Sequence, residues 1–217
     1  MNPITIRASQ VFAVVLAGGR ALRMGGADKG LQTLHGEALA TIAIRRLCEQ
    51  SIGRPGHIAV SANRNLAQYA ALKVPVLSDT VPDFAGPLAG MLSALQHCQG
   101  QADYLLTVPC DSPRFPLNLL ERLSAALVAE HADIAIALAP DTDPGAARVL
   151  RRQPVFCLMR SNLAQDLAAF LQMGGRKIGA WTERHATALV PFDTTQDDPR
   201  AFANANTLDE LHQLESP

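Results

Sequence analysis

Apolar runs alternate along the chain with polar stretches that carry glycine and proline. The first run, Val11 to Ala17, is apolar throughout and rich in β-branched residues, which predicts a buried strand near the start of an α/β sheet. Ile58–Ser61, Val74–Leu77, Ala102–Val108 and Asp133–Leu138 predict four more strands. Between them the spacing changes. Ala38 to Gln50 places Leu39, Ile42, Ala43 and Leu47 on one face and Arg45, Arg46 and Glu49 on the other, which is helical spacing. Short or longer helices follow over Asn65–Ala71, Leu88–Gln99 and Pro116–Glu130, the last with Pro116 in its tolerated first turn. Repeated strand–helix alternation predicts an α/β fold with a mostly parallel central sheet flanked by helices on both faces.

The second part of the chain is less regular. Pro140 to Arg152 interrupts the alternation and reads as a mobile loop on the substrate side. Pro154–Met159 resumes as a strand, Ser161–Gln172 as a helix, Arg176–Trp181 as a short helix and Ala186–Val190 as a late strand. A polar loop, Asp193–Arg200, leads to FANANT and a final helix over Leu208–Leu214, with Asn206 or Thr207 as its cap. Met1–Gln10 reads as a polar leader that frays. A length of 217 residues favours a single domain over 1–217.

Composition narrows the function. Apolar residues make up 48% and charged residues 18%, with a net charge of −1. No broad basic field exists to neutralise a nucleic-acid backbone, so no nucleic-acid partner is expected and any anion site must be local. Cys48, Cys98, Cys110 and Cys157 are far apart and form no C-x-x-C, which leaves little for a metal or disulfide reading. The histidines show no metal-ligand spacing. Val11–Ala17 is too short for a membrane span, and an arginine-bearing loop follows it where a signal peptide would carry a small-residue cleavage site. A reducing cytoplasm fits best.

The candidate chemistry starts where the first strand ends. Gly18, Gly19, Gly25 and Gly26 permit tight turns and close backbone approach, and Arg20, Arg23 and Lys29 add three cations. A strand feeding such a loop can hold phosphates on backbone N–H groups. Neither G-x-x-x-x-G-K-[ST] nor G-x-G-x-x-G is present. LAGGRALRMGGADKGL instead resembles the signature of nucleotidyltransferases of the sugar-nucleotide pyrophosphorylase type. The Arg-Met-Gly-Gly form with Asp28-Lys29-Gly30 most closely resembles the molybdenum cofactor guanylyltransferases. Ala21 stands where many relatives carry glycine. The resemblance runs from Val11 to Leu211 and is dense in the first loop, VLSD…GPLAG, VPCDSP and NANT. It implies a Rossmann-like nucleotidyltransferase with a nucleotide-binding half over about 11–135 and an acceptor half over about 136–214. It also implies GTP and molybdopterin as substrates, and transient complexes with cofactor-carrying proteins and molybdoenzyme chaperones.

Ligands of open α/β sheets sit at the carboxyl ends of the strands, and the informative residues lie at those ends. Leu16, Ala17, Gly18 and Gly19 end strand one, Ser61 strand two, Asp79 strand three and Asp111 strand four. A carboxylate rigidly held after a buried strand suits Mg²⁺, which takes one or two carboxylates plus phosphate oxygens and water, and PCDSP resembles the family's metal-binding P-C-D-[ST]-P. Asp79 and the following G-P-L-x-G resemble a nucleotide-contacting segment, with Gly86 and Gly90 expected to let backbone approach the ligand. The guanylyltransferases lead us to expect Asn where Ser61 stands. Asn63 points the same way on an extended chain and is an alternative reader of the base. Asn204 and Asn206 resemble the closing N-x-N-T and would meet a second metal or the product phosphate; capping explains Asn206 equally well. Arg148, Arg151 and Arg152 precede Pro154 without reproducing the family spacing, and a solvated basic loop is their commoner fate.

The resemblance implies attack of a substrate phosphate on the α-phosphorus of GTP, with pyrophosphate leaving. That phosphate is already anionic near neutral pH, since its second pKa is about 6, so no strong general base is needed. Catalysis is then expected from Lys29, Arg23 and Asp111 with Mg²⁺. The alternatives are a related cytidylyl- or sugar-phosphate nucleotidyltransferase, or a GTP-binding module without turnover.

Overall fold

A computed structural model describes residues 5–18, 28–80, 86–141, 149–205 and 210. The chain builds β1 (Val11–Leu16), β2 (Thr33–Leu34), β3 (Glu37–Ala38), β4 (His57–Ser61), β5 (Val76–Leu77), β6 (Tyr104–Pro109), β7 (Ile134–Pro140), β8 (Leu150–Arg160) and β9 (Thr187–Pro191). The helices are α1 (Leu39–Cys48), α2 (Leu66–Ala70), α3 (Pro87–Cys98), α4 (Leu119–Ala129), α5 (Ala164–Gln172) and α6 (Ile178–Thr182).

Seven strands form one sheet in the order β5-β4-β1-β6-β8-β7-β9. β8 runs antiparallel to both of its neighbours, and the remaining pairings are parallel. β1 lies inside the sheet and is buried on both faces, which is why its sequence is continuously apolar and not alternating. Val11, Ala13 and Val15 pack on the face covered by α1 and α4, with Tyr69 of α2 beneath it. Phe12 and Val14 pack on the opposite face, against α3, α5 and α6. The two-sided apolar pattern thus yields the expected helices on both faces.

Two local expectations change. Ile6 and Ala8 are buried, and Gly56 N–H donates to the Ala8 carbonyl, so this part of the leader docks onto the sheet in place of fraying. Arg151 and Arg152 lie within β8, facing Ala139 and Leu138 of β7. The predicted loop over 140–152 is therefore replaced at both ends by a hairpin arm, because backbone pairing with β7 outweighs the polar side chains there. The register shifts between Ile136 and Ala137. The final helix expected over 208–214, together with Gly19, Arg23, Arg148 and Asn206, lies outside the described residues except for Glu210.

The small hairpin β2–β3 turns on His35 and Gly36, both with positive φ (51° and 81°), the conformation that a two-residue hairpin loop requires. It carries the chain from the first loop into α1.

Candidate active site

The carboxyl edge of the sheet brings four segments together. Ala17 N–H donates to the Ser61 carbonyl at 2.9 Å, and Cys110 N–H donates to the Leu16 carbonyl at 3.2 Å. The ends of β1, β4 and β6 are thereby locked side by side. Leu16 is half-buried, Ala17 buried and Gly18 exposed.

Lys29 and Asp111 meet at this edge. Lys29 Nζ lies 3.1 Å from Asp111 Oδ2, with side-chain exposures of 25% and 19%. The charges are partly shielded yet open to a ligand from one side. Each partner is held from behind. Lys29 starts a single 3-10 turn, Lys29–Leu31, capped by Asp28, whose Oδ1 accepts from Gly30 N–H at 3.2 Å. The same oxygen accepts from the Tyr69 hydroxyl at 2.5 Å, and Oδ2 accepts from Asn65 Nδ2 at 3.0 Å. Gly30 is required for space here, since a Cβ would stand 2.4 Å from the Tyr69 hydroxyl.

Asp111 sits in a loop tied at several points. Its carbonyl accepts from Ala205 N–H at 2.7 Å, and the buried Ser112 donates to Asn204 Oδ1 at 2.6 Å. Downstream, Phe115 is fully buried and its carbonyl accepts from Arg46 Nε at 2.7 Å. The segment after the last strand thus closes directly over the PCDSP loop. With Ser112 on its oxygen, Asn204 is oriented to present its Nδ2 donors, which suit phosphate oxygens better than a cation.

Asp79 lies across the edge from Asp111. Asn63 grips it twice, with Nδ2 donating to Asp79 Oδ2 at 2.7 Å and Oδ1 accepting from Asp79 N–H at 2.8 Å. Burial raises the Asp79 carboxyl above its usual range, while the Asn63 hydrogen bond works against that rise. Ser61 is placed differently from Asn63. It is 2% exposed and turned toward α3, where a Cβ on Gly90 would come within 2.6 Å of its hydroxyl. Gly90 therefore serves the close packing of α3 on β4, whereas the sequence suggested approach to a ligand. Asn63 is exposed beside Gly18, where a Cβ would lie 3.3 Å from its Nδ2.

Arg151 and Arg152 are not gathered to this edge as free cations. Arg151 pairs with Asp141 at 2.5 Å and Arg152 with Glu183 at 3.1 Å. Cys110, next to Asp111, is buried. Burial first, then the nearby Asp111 and Asp28 carboxylates, push its thiol far above the ordinary range. A His–Asp pair does exist, His185 with Asp166 at 3.0 Å, but Trp181 shares that carboxylate and the cluster lies at the amino end of β9, on the opposite edge.

Among the described residues no three His, Cys, Asp or Glu side chains converge on one point. A single rigid carboxylate fits Mg²⁺, which keeps waters and takes its remaining ligands from phosphates. It does not fit a structural zinc, which needs four protein ligands.

Sequence reasoning overlooked Asn65, Tyr69 and Ser112 as contributors, and treated Asp28 only as part of a motif. For Ser112 a signal existed, since Ser or Thr at that place in P-C-D-[ST]-P points to a hydroxyl with a task. Tyr69 carried no such signal, as an aromatic residue in a short helix is ordinary core.

Comparison with known proteins bears on the family and the fold. The MobA-like NTP transferase domain family matches residues 13–214. The chain is 54% identical over 211 residues to the molybdenum cofactor guanylyltransferase of Albidiferax ferrireducens, covering 97% of this chain and 98% of that one. It is 52% identical over 211 residues to that of Ralstonia pickettii, covering 96% and 98%. Among solved structures, molybdopterin-guanine dinucleotide biosynthesis protein A from Archaeoglobus fulgidus superposes with a TM-score of 0.71 at 21% identity, covering 94% of this chain and 96% of that one. A 4-diphosphocytidyl-2C-methyl-D-erythritol synthase from Anaerococcus prevotii gives 0.73 at 10% identity, covering 96% of each. At those identities the two structures share the fold. The sequence matches, which span almost the whole length, go further: this chain belongs to the molybdenum cofactor guanylyltransferase family.

Proposed function

We propose that the protein transfers GMP from GTP to the terminal phosphate of molybdopterin, releasing pyrophosphate and forming the guanine dinucleotide. The observation that carries the reading is the Lys29–Asp111 pair at 3.1 Å, at the carboxyl edge of the sheet where β1 and β6 end. That arrangement suits charge neutralisation around a triphosphate.

In the proposed step a phosphate oxygen of the acceptor forms a bond to the α-phosphorus. The bond from that phosphorus to the β-phosphate oxygen breaks, and pyrophosphate takes the electron pair. The acceptor is anionic at neutral pH, so no side chain has to remove a proton. The barrier is mainly repulsion between anions and their alignment. Lys29 supplies a positive charge where negative charge accumulates, and Arg23 is assigned to the leaving pyrophosphate. The N–H groups of Gly18 and Gly19 are assigned to the phosphates. Asp111 would hold Mg²⁺, which when bound supplies further charge neutralisation to the phosphates. Asn204 would contribute an amide donor to a phosphate oxygen.

Guanine offers an N1–H and an exocyclic amine, so its reader must accept hydrogen bonds. Asp79 has acceptor capacity to spare after Asn63 has taken part of it. The carbonyl of Leu16 already receives Cys110 N–H but keeps a second lone pair. We assign base recognition to Asp79 and the backbone around Leu16 and Ala17. Asn63 then acts by holding Asp79, and Ser61 by packing under Gly90.

The test is pyrophosphate release with each nucleoside triphosphate in the presence of Mg²⁺ and molybdopterin. Release with GTP alone, abolished in Asp111→Ala, is expected. Release with CTP in preference to GTP would overturn the base assignment, and near-normal turnover of Asp111→Ala would overturn the metal assignment.

A further inference from the structure

Lys29 is a long, flexible side chain whose charge is useful only where its backbone is fixed. The structure shows what fixes it. Asp28 and Gly30 flank it; Asp28 is bonded to Tyr69 of α2, and Gly30 packs against the same side chain. Asp28 has both carboxylate oxygens engaged, Oδ1 by the Tyr69 hydroxyl and Gly30 N–H, Oδ2 by Asn65 Nδ2. Its carbonyl accepts from Leu31 N–H at 3.2 Å, closing the turn. Tyr69 is fully buried in the core below the sheet edge. Asn65, at the head of α2, takes a left-handed conformation with φ 52° and reaches Asp28 from the surface side.

We propose that Tyr69 is a positioning residue for the nucleotidyl-transfer step, acting through Asp28 to hold Lys29 at the phosphate site. The inference rests on the role assigned to Lys29 above. The Tyr69 hydroxyl donates to Asp28, so the effect of removing it on turnover is expected to pass through the Asp28 turn. Burial first, and then the Asp28 carboxylate, push its ionisation far above the ordinary range, so the hydroxyl stands as a donor. Asn65 is the second arm of the same clamp, so the geometry has two independent handles.

Tyr69→Phe removes only the hydroxyl and leaves the ring in its buried place. Without it the turn loses its deepest anchor, and Nζ samples positions off the developing charge. Misplacement of a charged group by a fraction of an ångström to an ångström costs about 10-fold or more in turnover. Because the loss is greatest where charge develops, kcat is expected to fall more than KM for GTP rises.

The deciding experiment is a double-mutant cycle on pyrophosphate release from GTP, using the full chain with Mg²⁺ and molybdopterin. The four proteins are wild type, Tyr69→Phe, Lys29→Ala and the double variant. The same cycle is read on GTP affinity, so that it remains measurable if turnover of the Lys29 variants is very low. Asn65→Gly, which keeps the left-handed backbone and removes the side-chain bond, serves as the second variant should Tyr69→Phe fail to fold. A loss of about 10-fold in the wild-type background that shrinks to under about 2-fold in Lys29→Ala supports the proposal. An equal loss in both backgrounds, or no loss of kcat in a folded variant, overturns it and leaves the role of Lys29 standing. Near-normal turnover of Lys29→Ala instead removes the role of Lys29 itself, and that failure is distinct because it appears before Tyr69 is touched.

Discussion

Replacing Gly30 by alanine tests why the Asp-Lys-Gly sequence ends in glycine. The residue has no positive φ among the described glycines that do, so backbone freedom is not the issue. A Cβ there would lie 2.4 Å from the Tyr69 hydroxyl, 3.3 Å from its ring edge and 3.2 Å from Ala17 Cβ. Ordinary contact requires about 3.5 to 4 Å, so the hydroxyl must retreat by roughly an ångström. Tyr69 is wholly buried and cannot swing away. Overpacking of this kind costs about 1–3 kcal/mol. A retreat of that size also breaks the hydrogen bond to the Asp28 carboxylate, which is worth about 1.5–3 kcal/mol. The sum is about 2.5–6 kcal/mol. At about 2–4 °C per kcal/mol for a chain of this size, the melting temperature should fall by at least about 5 °C. The assay is thermal unfolding of Gly30→Ala, with Tyr69→Phe and the double variant alongside. Removing the hydroxyl removes the closest clash, so the double variant should lose less than the two single losses added together. Melting of Gly30→Ala within about 2 °C of wild type would refute the argument from space.

Two further outcomes follow from other contacts. Asp197 accepts from Arg122 at 2.7 Å and from the Thr194 N–H and hydroxyl, with its side chain 8% exposed. Although burial alone would raise its carboxyl, these partners hold it below the ordinary range. A depressed carboxylate stabilises the fold above the unfolded value near 4 and loses that contribution as pH falls through the folded value. Asp197→Asn should cost about 1–3 kcal/mol at pH 7, with the gap to wild type closing toward pH 3. Urea midpoints at the two pH values measure it, and a gap that persists in acid contradicts the ion-pair explanation. Ser112→Ala frees the Asn204 oxygen, so turnover should fall by about the same factor as in Asn204→Ala, while Ser112→Thr stays near wild type. Steady-state rates of the three variants check this, and a Ser112→Ala enzyme with full activity would show that the amide needs no such guide.

Much of the frame was readable because burial leaves a one-dimensional trace. β1 and β6 are covered on both faces, so β1 is a continuous apolar run and β6 is broken only by the buried Thr107. Their ends are marked by glycine or by proline and acid, so the site's edge could be read with them. The direction of β8 leaves no such trace, since a strand's composition is the same whichever way it runs. Its early residues, Arg151 and Arg152, are polar because they are exposed outside the two core layers, and polarity there reads as a loop. Contacts between distant residues were equally hidden. Nothing local distinguishes Ser61, which packs under α3, from Asn63, which holds Asp79, although two positions separate them. Tyr69 lies 41 positions from the carboxylate it serves, and only the fold brings the two together.

The closing of FANAN over the PCDSP loop has a consequence for how the protein comes to be active. The tie from Ser112 to Asn204 spans 92 positions, against 82 for Lys29 to Asp111 and 16 for Asn63 to Asp79. Contacts that bridge more chain carry a larger loop-closure cost and form later. During synthesis, which proceeds from the amino end, the β1–β4–β6 edge can assemble long before Asn204 has emerged. The segment that ties down the PCDSP loop is then the last to arrive, and a growing or truncated chain can bring Lys29 and Asp111 together before Ser112 has its Asn204 partner.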